Sequence, residues 1–350
     1  MNKNNIIAFL SVFAFFGSAM YFPYTTTPVK IKYPEYWPKP VYNFEKNPLT
    51  QEGIDLGRKL FYDPILSKDS SISCSNCHLS YTAFTHVDHK LSHGINDSIG
   101  NRNSPSLMNL AWHNSFMWDG AVSHLDFQAL APISHPAEMG ENINNVILKL
   151  TKSTDYVKRF YQTFKDSAIT GEYLLKAISQ FELTLISCNS KYDSVMRKAA
   201  NFTLQEENGY QLFKKECSSC HTEPFFTNGK FENNGIPLDS VLLDYGRYNI
   251  TKNPNDSLKF KVPTLRNIEF SHPYMHDGRF KNLSEVLKHY TTKVFPSKTV
   301  SKHLGNSISL SSNQKVDLTS FLLTLTDKNF LFNKKNAFPR KFYFPSTEKK

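Results

Sequence analysis

Apolar residues recur at helical spacing in separate parts of the chain. Leu174, Leu175, Ile178 and Phe181 fall on one side of a 3.6-residue repeat, the pattern of a helix with a single buried face. A second stripe, Leu283, Val286, Leu287 and Tyr290, is spaced i, i+3, i+4, i+7 and follows Asn282-x-x-Glu285. That pair starts helices because both side chains can hold backbone N–H groups of the first turn. The stripes predict mostly-α structure. Tyr290 closes the second one, where a plain core aromatic is the alternative to a functional residue.

The ends of the chain break this pattern. After Lys3 an apolar run extends from Ile6 to about Phe16, and Gly17-Ser-Ala19 supplies small residues for cleavage. This is the layout of a secretory signal over residues 1–19, predicting export to the periplasm. An uncleaved membrane anchor is the alternative, although the run is short for a span. Residues 20–47 contain Pro23, Pro28, Pro34, Pro38 and Pro40 and read as a proline-rich extended tether. Residues 331–350 read as a tail packed along the surface.

The remaining length suits two domains, each able to bury a core. Of the 350 residues, 40% are hydrophobic and 21% charged, the makeup of a soluble globular protein. The formal charge of +10 is spread over dispersed lysines with no nucleic-acid motif, so nucleic acid is not the expected partner. The excess instead offsets anionic groups of a bound cofactor and helps steer an acidic partner.

Four of the five cysteines form Cys74-Ser-Asn-Cys77-His78 and Cys217-Ser-Ser-Cys220-His221. With 12 histidines in the chain, chance supplies such a pentapeptide only about 0.002 times. Two thiols three residues apart on a helical turn can add to the two vinyl groups of haem, and the adjacent histidine then sits beneath the iron. A four-thiolate zinc site is the alternative, and it leaves both histidines unexplained. Cys188 is left over and reads as a buried apolar residue.

The two halves repeat. Gly57-x-x-Leu60-Phe61 precedes the first motif and Gly209-x-x-Leu212-Phe213 the second; Phe84-Thr85 and Phe226-Thr227 follow them; Met117-Trp-Asp-Gly120 corresponds to Met275-His-Asp-Gly278. A repeat of this kind predicts two related cytochrome c-like haem domains, over 48–196 and 197–330. Counting fourteen residues from His276 reaches Tyr290, whereas fourteen from its partner Trp118 reaches Pro132, which cannot bind iron. If this position supplies the sixth ligand, the second haem is closed and the first open. That asymmetry is the pattern of an enzyme rather than of a simple electron carrier.

With these motifs in order, and with Arg102-Asn-Ser-Pro105, Pro136-Ala-Glu138-Met-Gly140 and Pro263-Thr-Leu-Arg-Asn267 between them, the chain resembles the bacterial di-haem cytochrome c peroxidase family, including its MauG-type branch. The resemblance runs from about Leu49 to Thr326. It implies two covalently bound haem c groups, with His78 as proximal ligand of the peroxide-reactive haem and His221 of the electron-transfer haem. Trp118 matches the tryptophan between the haems, and Glu138 the acid of the open pocket, with Gln128 nearby. A carboxylate there can move a proton from the inner to the outer oxygen of peroxide. The resemblance also implies calcium, held by the Asn103 side chain and the carbonyls of Ser271 and Pro273.

The sixth ligand of the second haem divides the family between methionine and, in the MauG-type branch, tyrosine. Here the position is Tyr290, with Met275 as runner-up. A phenolate stabilises oxidised iron and lowers its potential relative to a thioether. Two features depart from a full MauG pattern. The tryptophan six residues before the second proximal histidine is replaced by Lys215, and His93-Gly94 offers a displaceable distal histidine, with His86 and His89 as weaker rivals. The expected function is an exported peroxidase that reduces hydrogen peroxide with electrons from a c-type cytochrome or cupredoxin, in a protein able to form a homodimer. The alternatives are a MauG-like oxidase of a protein or organic substrate acting through the paired haems, and a di-haem electron carrier without turnover.

Overall fold

The computed structural model describes residues 25–304 and 307–343; the expected signal or anchor over 1–19 lies outside them. The helices are α1 (Gln51–Tyr62), α2 (Cys74–Cys77), α3 (Leu130–Ser134), α4 (Ile143–Thr151), α5 (Thr154–Phe164), α6 (Gly171–Glu182), α7 (Lys191–Met196), α8 (Leu204–Glu216), α9 (Tyr248–Thr251), α10 (Leu283–Thr292), α11 (Ser312–Leu323), α12 (Lys328–Leu331) and α13 (Arg340–Tyr343). Sheet among the described residues amounts to β1 (Phe231–Glu232) antiparallel to β2 (Phe260–Lys261), with Phe231 opposite Lys261. The fold is mostly helical. No helix among the described residues is long and apolar enough to cross a membrane.

The stripe at Leu174 becomes α6, started by the Thr170 hydroxyl accepting from Tyr173 N. Leu174, Ile178 and Phe181 are buried in it. α1 lies across α6 so closely that a Cβ at Gly57 would stand 1.8 Å from the carbonyl oxygen of Ala177. The same arrangement recurs where α8 meets α11: a Cβ at Gly209 would stand 2.0 Å from the Asp317 carbonyl. Only a residue without a side chain lets two helix backbones approach this far. Around these pairs the core collects in three clusters, one on Phe61, Phe84, Trp112 and Phe181, one on Leu60, Ile133, Leu150 and Phe160, and one on Phe213, Phe226, Leu318 and Phe321.

The proline-rich segment is irregular, yet its described part is packed rather than a free tether. Val29 N donates to Leu49 O at 2.9 Å, and Val41 N and Tyr42 N both donate to Ala111 O at 3.0 Å. Trp37 is buried edge-on against Trp112 and Phe225, ring centroids 5.1 and 4.7 Å away. Proline content marks an extended chain but says nothing of whether its aromatic residues find a pocket. At the other end, Tyr343 donates to Lys59 O at 2.6 Å and Phe338 packs on Tyr62. Cys188 lies partly buried beside the first cluster, its N–H held by the buried carboxylate of Asp327 at 2.9 Å.

Candidate active site and haem-binding cavity

Ser73 and Asn76 cap each other's backbone around α2, so the first cysteine pair sits on a single helical turn that ends at His78. His78 Nδ1 lies 2.7 Å from the carbonyl oxygen of Phe84. A carbonyl can only accept, so Nδ1 carries the proton and Nε2 is left with a free lone pair. Burial pushes the imidazole down to about 4, which keeps it neutral. The second motif begins where α8 ends. His221 N donates to Cys217 O at 2.9 Å, and His221 Nδ1 faces two carbonyls, Phe226 at 3.1 Å and Pro263 at 3.2 Å. Both histidines are thus fixed in the tautomer a metal ligand requires.

None of the four motif cysteines is in a disulfide. Burial pushes their thiols up, Cys77 to about 11 and Cys217 to about 12, so they are neutral groups rather than reactive thiolates. Cys74 borders the first core cluster and Cys217 the third. Among the described residues no three histidine, cysteine or acidic side chains converge into a metal-sized group. The four-thiolate zinc alternative therefore has no site.

A cavity of about 280 Å³ adjoins the second motif. Cys217, Cys220, His221, Met275 and Tyr290 border it, as do His113, Met117, Trp118 and Gln128. Nearly half of the remaining wall is leucine, isoleucine, proline and valine. A large apolar space, beside two free thiols and a histidine with an open Nε2, fits a covalently attached haem. α10 brings Tyr290 to this space: Asn282 accepts from Glu285 N at its start, as the sequence predicts. Burial pushes the Tyr290 phenol up to about 12, against a lowering hydrogen bond from Asn234.

Met117 and Met275 stand in equivalent turns, each bracketed by a bridge, Phe116 to Val122 and Tyr274 to Phe280. Both hold a left-handed backbone, φ +68° and +77°, a conformation uncommon outside glycine and asparagine. Each sulfur also faces an amide: Gln128 Nε2 at 3.8 Å from Met117, and Asn234 Nδ2 at 3.3 Å from Met275.

Trp118 donates through Nε1 to Asn103 O at 2.8 Å and accepts at its own carbonyl from Lys261 N at 2.7 Å. Asn103 N in turn donates to His276 O at 2.7 Å. Asn103, Ser271 and Pro273 all border the cavity. Glu138 lies by the first motif. Its charge raises the Cys77 and Cys74 thiols, and its backbone carbonyl accepts from Ile95 N at 2.8 Å. Burial raises the Glu138 carboxyl, partly countered by His135, whose Nδ1 is 3.9 Å away. His93 stands in the same neighbourhood, its carbonyl 3.6 Å from Cys77 Sγ. Its ring rests on His89, which stacks on His86, and the buried Nδ1 of His86 has no hydrogen-bond partner.

Three features went unread in the sequence. Arg102 bridges Asp119 at 2.6 Å and Asp244 at 2.6 and 2.9 Å, tying the Trp118 turn to a distant loop. Lys261 reaches His113 Nδ1 at 3.1 Å and the carbonyl of Ser115 with no carboxylate partner, and burial pushes its amine down to about 8. A lysine alone among Phe260, Val262 and Pro263 was the available signal. Asn234 carries no signal beyond being half of an asparagine pair.

Known proteins give the same picture. Residues 51–201 match the family model described as di-haem cytochrome c peroxidase. The methylamine utilization protein MauG of Methylophilus methylotrophus is 30% identical over 311 residues, covering 85% of this chain and 88% of that protein. Cytochrome c551 peroxidase of Nitrosomonas europaea is 34% identical over 246 residues, 69% of this chain and 73% of the relative. A crystal structure described as a MauG-like protein associated with microbial copper homeostasis superposes with a TM-score of 0.80 at 31% identity, covering 87% of this chain and 98% of that one. The family-model match, together with a MauG relative 30% identical over 85% of this chain, places the chain in the di-haem cytochrome c peroxidase family, to which MauG also belongs.

Proposed function

We propose that the chain is a di-haem c-type peroxidase that reduces hydrogen peroxide to water with electrons from a small redox protein. One observation carries the reading. Trp118 and Gln128 share a single cavity with Cys217, His221 and Tyr290, so residues assigned to both sites meet across one continuous space. A haem held at each motif supplies an iron that exchanges electrons and, at the first, one that binds peroxide.

The chain's own residues prepare that chemistry. Cys74, Cys77, Cys217 and Cys220 anchor the two groups. His78 and His221 present Nε2, and Tyr290 closes the second site. Glu138 carries the proton between the peroxide oxygens; its raised affinity for a proton and its place by the first motif suit that task. Trp118, pinned through Asn103 and Lys261, borders the cavity of the second motif with Gln128 and serves in this reading as the relay between the haems. We further assign a calcium ion to Asn103, Ser271 and Pro273, on their common position at the cavity, and keep His93 as a displaceable distal group. The matched helix pairs and methionine turns support duplicated domains at 48–196 and 197–330. We place the protein in the periplasm, with a c-type cytochrome or cupredoxin as donor.

The tyrosine at position 290 supports a second reading, a MauG-like oxidase. The tryptophan of that branch is replaced here by Lys215, whose side chain is 77% exposed and paired with Glu216 at 2.9 Å. Steady-state assays separate the two. Rapid peroxide consumption with a reduced cytochrome or cupredoxin is expected. Slow consumption with every such donor, alongside peroxide-driven oxidation of a protein substrate, would leave the oxidase.

A further inference from the structure

Asn234 stands two residues beyond β1, with its carbonyl and both side-chain polar atoms engaged. Its backbone carbonyl accepts from His289 Nε2 at 2.9 Å, and its Oδ1 accepts from Ile236 N at 3.3 Å. With Oδ1 taken by a donor, the amide orientation is fixed and Nδ2 must donate. It donates to the sulfur of Met275, 3.3 Å away, and Met275 and Tyr290, the two candidate ligands of the second iron, border the same cavity as Asn234. In the first half Gln128 engages Met117 in the same way at 3.8 Å, but position 132 there is a proline and offers no oxygen.

Resting on the assignment of Tyr290 as ligand, we infer that Asn234 is a positioning residue that selects tyrosine over methionine at the second haem. An N–H donated to Met275 engages the sulfur lone pair that would bind a metal. With that sulfur engaged, Tyr290 on the same cavity is the side chain left to meet the iron of a bound haem. His289, buried on the same helix as Tyr290, holds Asn234 from behind and keeps donor and ligand in register.

The test uses the full-length holoprotein and reads the electronic and electron paramagnetic resonance spectra of the oxidised second haem, together with its reduction potential. Asn234→Leu removes the donor, and Asn234→Asp removes it at constant shape. In both, the tyrosine-to-methionine ligand ratio is expected to fall about fivefold, the scale of one ordinary hydrogen bond. A sulfur-to-iron charge-transfer band should appear and the potential should rise. Adding Met275→Leu should abolish the band. Wild-type spectra and potential in the Asn234→Asp protein would overturn the inference. Tyr290→Phe in the otherwise native chain tests the reading beneath it. If that change leaves the second-haem spectrum intact, Tyr290 is not the ligand; if it alters the spectrum while the Asn234 variants do not, only the role of Asn234 fails.

Discussion

Arg266 and Asp193 form a two-point ion pair, with Nη1–Oδ2 and Nη2–Oδ1 both 2.9 Å and neither side chain exposed at all. The pair joins α7 to the segment after the second motif, and it also holds the proline-rich strap. Tyr36 donates to Asp193 Oδ1 at 2.8 Å, and the Arg266 guanidinium lies over the Trp37 ring. Removing one partner strands a buried charge. Arg266→Met is therefore expected to cost about 3–5 kcal/mol of stability at neutral pH, with Arg266→Met/Asp193→Leu recovering part of it. Burial raises the Asp193 carboxyl, but hydrogen bonds and charge from Arg266 outweigh that and leave it below its usual range. The stabilisation is thus complete above the unfolded carboxylate pKa and is lost as pH falls through the lower folded one. Thermal unfolding of both variants across acid pH checks the size and the sign.

Glu138 titrates in the opposite sense. Burial lifts its carboxyl above the ordinary value, with His135 pulling back. As a base it works only when ionised, so kcat/KM for peroxide should fall toward acid pH with a limb above the normal carboxylate range. Glu138→Gln should lower turnover by about 10²–10⁴ and abolish that limb while the haem spectra stay native. A wild-type rate would remove Glu138 from the mechanism.

Tyr290→Met replaces an anionic oxygen donor with a thioether at the same helical position. The expected result is a higher potential at the second haem, with the first unchanged. Spectroelectrochemical titration reads the two haems separately. An unchanged second potential would contradict the assignment of Tyr290.

Gly57→Ala and Gly209→Ala place a methyl 1.8 and 2.0 Å from backbone oxygens that no rotamer can move. Each substitution should destabilise the fold by at least about 1–3 kcal/mol through forced separation of the helix pair. Similar losses at both positions would match the paired geometry; tolerance at either one would show that its helices can part freely. Denaturant unfolding of each variant is the measurement.

How much of this was legible depended on how local the signal was. The two haem motifs, the apolar stripe of α6 and the Asn282 cap of α10 all declare themselves within a dozen residues, because helix periodicity and capping are short-range. The fourteen-residue count brought Tyr290 to the cavity for the same reason: it spans one turn and one helix. Arg102 and Asp244, 142 residues apart, meet through two irregular loops that carry no period. Lys261 lies in β2 and Asn234 two residues beyond β1, and two-residue strands are too short to show alternation. Trp37 was hidden by its prolines, which indicate an extended path but not what lies beneath it.

The cavity beside the second motif has a consequence for how the molecule is made. Its walls come from residues before and after Cys217 and Cys220, and part of the closing wall is α10, some sixty positions further along the chain. A rigid macrocycle cannot be threaded between elements already packed on one another. On the proposed assignment, a haem joined to Cys217 and Cys220 would be in place before α10 docks, and Tyr290 would arrive last. The cofactor would then serve as the template on which the C-terminal half closes.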